Sequence, residues 1–145
     1  MTSTILGYIL LYSSLYHVDP DMVKAVVQVE SRGRSDKIGA AGEVGMMQLM
    51  PLYFRYDVSK LKKPRLNISL GVRHLADMQK RCSHQVDQTW IICYNLGVAG
   101  AKKIKHPKKF PYYRDVMSEY ERIKREEYVK NLPIQDGVRE RQANR

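Results

Sequence analysis

Apolar residues recur along this chain at helical spacing, and no stretch alternates as a half-buried strand must, so the pattern predicts an all-α fold. Residues 5–15 form an apolar run punctuated by Tyr and Ser, too short to span a bilayer and read as a first helix. Asp19, Pro20 and Asp21 mark the next start: Asp19 can cap, Pro20 suits the first helical position, and Asp21 complements the positive helix end. Val23, Val26 and Val27 then share one face of a helix expected to run to about Ser31. Extending that stripe by three or four residues reaches Glu30, a carboxylate where a hydrophobe belongs.

Residues 32–45 carry Gly33, Gly39, Gly42 and Gly45 and read as a long loop, followed over 46–50 by a short apolar turn of helix that Pro51 stops. Residues 53–64 show no periodicity; Asn67 is placed to cap a helix with Ile68, Val72, Leu75 and Met78 on its face. Residues 88–94 are apolar nearly all round, the mark of a central buried helix, which Asn95 and Gly97 would end. Tyr113, Val116, Tyr120 and Ile123 define a final helix, and beyond about Tyr128 the sequence is polar without period. The expected organisation is one domain over 1–128 and a charged, flexible tail over 129–145.

Composition adds charge to this picture. Lys and Arg number 25 against 15 Asp and Glu, a formal +10, so the surface favours polyanions such as nucleic acid, anionic lipid or bacterial wall polymer. Lys102, Lys103, Lys105, Lys108 and Lys109 concentrate part of that charge in one segment. No zinc-finger spacing, RNA-binding aromatic motif or helix-turn-helix signature accompanies it, so specific nucleic-acid recognition is not expected. Cys82 and Cys93 are too few for a disulfide framework and read as buried thiols, with a single bridge left open. No basic residue precedes the first apolar run and no small-residue cleavage site follows it, so a secretory signal is not expected.

A Glu on an apolar helix face is either paired with a cation or desolvated into a raised pKa. The residues around Glu30 decide between these. Glu30-Ser31, Ala41-Gly42, Gly45-Met46-Met47-Gln48, Met50-Pro51, Asn67-Ile68 with Gly71 and Leu75, and Tyr94-Asn95 with Gly97 together resemble the soluble lytic transglycosylase domain, a relative of goose-type lysozyme. The spacing from Glu30 to Gln48 fits that family without a gap, and the motifs follow its order over roughly residues 12 to 125.

The resemblance implies a lysozyme-like helical domain cleaving peptidoglycan glycan strands, with Glu30 as sole acid and base and with no metal or cofactor. It assigns Gln48 and Met47 to the glycan, with Met46 beside Met47 as an apolar floor, and points the Tyr94 hydroxyl toward the acid. Asn95 is either a substrate contact or a helix terminator, and Met46 and Met50 also read as core fillers. Three places depart from the family: Gly39 stands where it usually has Ser near the acid, so that Ser35 or a backbone amide substitutes or turnover is reduced; Glu43 stands where it has Ala; and Lys108 and Lys109 stand where it often has a Glu before the final helix. Glu43 is either solvated loop charge or a second carboxylate that activates water. Two rival readings follow, a hydrolytic muramidase of the same fold and a basic structural or nucleic-acid-binding virion protein with a degenerate site. A substrate in the periplasm or cell wall without a signal sequence suggests bacteriophage delivery, virion-borne or holin-released, with a conjugation or secretion apparatus as the alternative and other virion or envelope proteins as partners.

Overall fold

The computed structural model describes residues 1–83 and 87–133, and among them the regular elements are helices: α1 (Ser3–Tyr16), α2 (Pro20–Ser31), α3 (Pro51–Phe54), α4 (Val58–Leu61), α5 (Pro64–Arg81), α6 (Ile92–Ala101) and α7 (Pro111–Lys130). The all-α, lysozyme-like expectation holds; the only β pairing among the described residues is two isolated bridges. α1 buries the stripe Ile5, Ile9 and Ser13 against α5 and α2, leaving Leu10, Leu11 and Leu15 on its outer side. α2 begins where its cap dictates, the Asp19 carboxylate accepting the Asp21 N–H at 2.9 Å with Pro20 next in line.

Val23, Val26 and Val27 are fully buried. At roughly 1.5–3 kcal/mol per buried side chain, this stripe fixes the rotation of α2 and therefore the direction in which Glu30 leaves it. α7 lies along α2 and is held there by polar clamps as well as by Val116 and Ile123. Tyr120 donates to Asp19 at 2.7 Å, while Lys24 (2.9 Å) and Lys124 (2.7 Å) converge on Asp21, which is 3% exposed. Burial alone would raise the Asp21 carboxyl, but hydrogen bonds from Lys124 and Lys24 overcome it and hold the group below its usual range.

The middle of the chain departs from expectation. Residues 46–50 form no helical turn: Val44 and Leu49 exchange backbone hydrogen bonds at 2.9 and 3.0 Å, closing a hairpin whose corners, Gly45 (φ 83°) and Gln48 (φ 50°), take left-handed conformations that a helix forbids. Pro51 opens α3 instead of stopping a helix, and the stretch expected to be irregular contains α4. Asn67 is not the cap of α5, which starts at Pro64; it lies one turn inside, buried, with its side chain turned to the hairpin. It accepts the Met47 N–H at 2.8 Å and donates to Val44 O (2.9 Å) and Leu61 O (2.8 Å). Gly71, one turn further, presses on Met47: a Cβ there would stand 2.8 Å from the Met47 Cβ.

The apolar segment expected over 88–94 begins as a 3-10 turn (Thr89–Ile91) and continues into α6. Gly97 (φ 70°, ψ 168°) is non-helical and divides Ile92–Ala101 into two helical segments, so the first of them ends at Gly97 as the sequence suggested, with Asn95 exposed just before the break. Cys82 and Cys93 are buried as expected but are joined in a disulfide rather than free, because the end of α5 and the start of α6 bring them together. Closing a loop of this length contributes about 3 kcal/mol. Reduction, or replacing both cysteines with Ala, is therefore expected to lower Tm by on the order of 10 °C in a thermal melt. α7 runs to Lys130, two residues past the anticipated domain boundary; positions 134–145 of the anticipated tail lie outside the described residues.

Candidate active site

α2, the hairpin, α3, α5 and α6 surround a cleft of about 670 Å³. Glu30, Glu43, Gln48, Tyr94 and Asn95 all line it, so five of the residues singled out by sequence converge on one cavity. Ser31 shows how helix and loop are joined: its buried Oγ donates to Met46 O at 2.8 Å and accepts the Gly33 N–H at 3.1 Å, clamping the start and end of the loop to the C-terminus of α2. Lys37, from the same loop, donates its ammonium to the backbone carbonyl of Glu30.

Glu30 sits at the end of the buried valine stripe, and burial pushes its carboxyl up from an ordinary 4.5 to about 7. A hydrogen bond from Tyr112 and the charge of Lys37 pull the other way, while the negative charge of Glu43 adds to the rise. The group is thus poised to hold a proton near neutrality and to release it readily.

Several expected roles fall to other atoms. The hydroxyl that reaches the acid belongs to Tyr112, donating to Glu30 Oε1 at 2.7 Å; the Tyr94 hydroxyl donates instead to Met47 O, also at 2.7 Å. Tyr94 lies close enough to Glu30 for the carboxylate's charge, after burial, to raise its pKa. The Met46 and Met47 side chains are buried in the core and are not among those lining the cleft; the Met47 carbonyl accepts the Tyr94 hydroxyl. Met50, read as a core filler, is 40% exposed and lines the cavity. Gln48 directs both amide protons away from the cleft, to Gly45 O (2.8 Å) and Lys37 O (3.3 Å), so its oxygen is the atom offered to a ligand. Gly39 contributes no side chain, and a Cβ at that position would overlap the Glu43 carboxylate.

Tyr112 was missed because it precedes the apolar stripe of α7 and nothing in the spacing ties it to α2; only the packing of α7 on α2 brings the two together. The aromatic wall was missed as well. His74 meets Tyr53, Phe54 and Tyr94 with ring centroids 5.4–5.5 Å apart, and burial holds its imidazole below its ordinary pKa, so it presents a neutral ring. Since the Tyr112 hydrogen bond stabilises the ionised acid, Tyr112→Phe is expected to raise the Glu30 pKa and move the alkaline limb of any Glu30-dependent rate upward by about one pH unit. A pH–rate profile of the variant beside the wild type reads that change. Among the described residues, no group of three or more His, Cys, Asp or Glu side chains is placed to hold a metal ion, and no helix is long and apolar enough to cross a membrane.

The chain is similar to an endo-type membrane-bound lytic murein transglycosylase A of Klebsiella pneumoniae, with 35% identity over 74 residues covering 43% of this chain and 36% of the relative. A membrane-bound lytic murein transglycosylase E of Buchnera aphidicola shares 23% over 117 residues, covering 70% and 54%. A lytic murein transglycosylase A of an Enterobacter species shares 29% over 94 residues, covering 57% and 46%. The chain thus spans about half or less of the length of these curated relatives. The family model of the transglycosylase SLT domain matches residues 7–115, and the chain belongs to that family.

Proposed function

We propose that this domain is a peptidoglycan lytic transglycosylase that breaks the β-1,4 bond between N-acetylmuramic acid and N-acetylglucosamine in the bacterial cell wall. The observation that carries the reading is Glu30, a carboxyl in the wall of an open cleft, protonated up to about pH 7 by its burial. The protonated carboxyl donates to the glycosidic oxygen, and the C1–O bond breaks through an oxocarbenium-like state. The carboxylate left behind takes the proton of the muramic C6 hydroxyl, whose oxygen closes on C1 as a 1,6-anhydro ring. Glu30 ends protonated, as it began.

Tyr112 and Lys37 hold the acid in place from two sides, one at the carboxylate and one at the backbone carbonyl. The aromatic wall offers ring faces to the apolar faces of sugars, with Tyr53 64% exposed at its rim. Lys102, Lys103, Lys105 and Lys109 are exposed beside α6, whose residues line the same cleft, a distribution that favours an anionic polymer. The test is mass spectrometry of fragments released from purified peptidoglycan by the wild type and by Glu30→Gln. Anhydromuramic ends formed by the wild type and absent with the variant support the reading; a wild type that forms none overturns it.

A further inference from the structure

Two of the departures from the family pattern, Gly39 and Glu43, meet in one place. A Cβ on residue 39 would overlap the Glu43 carboxylate and stand 2.7 Å from Gln48 Oε1. A side chain at 39 would have to displace the Glu43 carboxylate from the place it occupies. The carboxylate is held in that space from behind, Oε2 accepting the Ala41 N–H at 2.9 Å, which leaves Oε1 toward Gly39 and Gln48. Gln48, with both amide protons committed to backbone carbonyls, turns Oε1 toward the same place. Neither oxygen accepts a hydrogen bond from any described residue, and both side chains line the cleft that Glu30 lines.

Two acceptors converging on one point call for a donor with two protons. A sugar hydroxyl has one; water has two, and a water that gives both keeps its lone pairs free on the opposite side. We propose that Glu43 and Gln48 hold a nucleophilic water in this cleft and that Glu43 is its base, giving the enzyme a hydrolytic branch beside the anhydro-forming one. This inference rests on the reading of Glu30 as the acid. Glu30 delivers its proton to the glycosidic oxygen, and the C1–O bond breaks with its electrons going to the leaving sugar. The water oxygen bonds to C1, and one water proton passes to Glu43. The net change is addition of one water, giving a reducing muramic end; Glu43 then returns its proton to solvent and Glu30 regains one. A second carboxylate acting on water is what hydrolytic glycosidases use.

The test uses the full chain on peptidoglycan whose existing reducing ends have been removed with borohydride, scoring newly formed reducing and anhydro ends by mass spectrometry. The wild type is expected to form both. Glu43→Gln, which keeps the shape but cannot take a proton, is expected to lower the ratio of reducing to anhydro ends at least ten-fold. Gly39→Ser/Glu43→Ala, which moves the polar side chain to the other side of the loop, is expected to do the same. Because a ratio is independent of how much protein is folded, weakened variants remain informative. With the negative neighbour gone, the alkaline limb of Glu43→Gln should also move to lower pH, the direction set by the loss of repulsion on Glu30. A ratio unchanged within two-fold in Glu43→Gln, or a wild type that forms no reducing ends, overturns the proposal. Either kind of end still formed by Glu30→Gln would instead overturn the assignment of the acid.

Discussion

Glu30→Gln is expected to lower strand cleavage by a factor on the order of 10³–10⁴ while making the fold more stable. The rate loss follows from asking one group for two proton transfers, each of the kind that typically contributes 10²–10⁴. Glutamine keeps the volume and can still accept from Tyr112, but it neither gives nor takes the proton. The gain in stability follows from the same burial. A carboxyl near 4.5 in the unfolded chain and at about 7 in the fold contributes stability that is fully present below pH 4.5 and is lost as pH rises through 7. A rise of that size corresponds to roughly 3 kcal/mol, so above pH 8 the variant should melt later than the wild type, while at pH 4 the two should melt together. A variant that loses activity but melts identically at both pH values would contradict the burial of the acid.

Asn67→Ala is expected to destabilise the domain by about 4 kcal/mol and to lower activity in the molecules that remain folded. Its side chain satisfies the buried Met47 N–H and Leu61 carbonyl, for which no other described residue substitutes; the third partner, Val44 O, keeps the Leu49 N–H. Each orphaned group costs about 1–3 kcal/mol, and a small cavity adds to that. Asn67→Asp should fail to rescue, since a carboxylate accepts from Met47 but has no proton for the carbonyls. Denaturant melts give the stability; the loss of activity follows because the hairpin that Asn67 anchors carries both Gln48 and the carbonyl that receives Tyr94.

Local physics made the framework legible. The Asp19–Pro20 start, the valine stripe ending on Glu30 and the Tyr113–Ile123 face of the last helix depend on spacing within one element, and each stands where the pattern put it. What escaped depends on distant packing. Asn67 has the side chain of a helix cap, and capping was the nearest use for it; its partners lie six to 23 residues earlier, in α4 and the hairpin. The run 46–50 is apolar enough for a helical turn, but the left-handed backbone at Gln48 is imposed by the ladder between Val44 and Leu49. Tyr112 reaches Glu30 only because α7 packs along α2, and His74 lines the cleft only because α5 faces α3 and α6, which no window of sequence contains.

The Cys82–Cys93 bond ties α5 to α6, two walls of the cleft, on either side of residues 83–92. In a cytosol poised by glutathione such pairs stay as thiols, whereas an oxidising envelope closes them. Wherever the pair is reduced, α5 and α6 lose this covalent tie, so the oxidised and reduced forms of one chain are expected to differ in melting point.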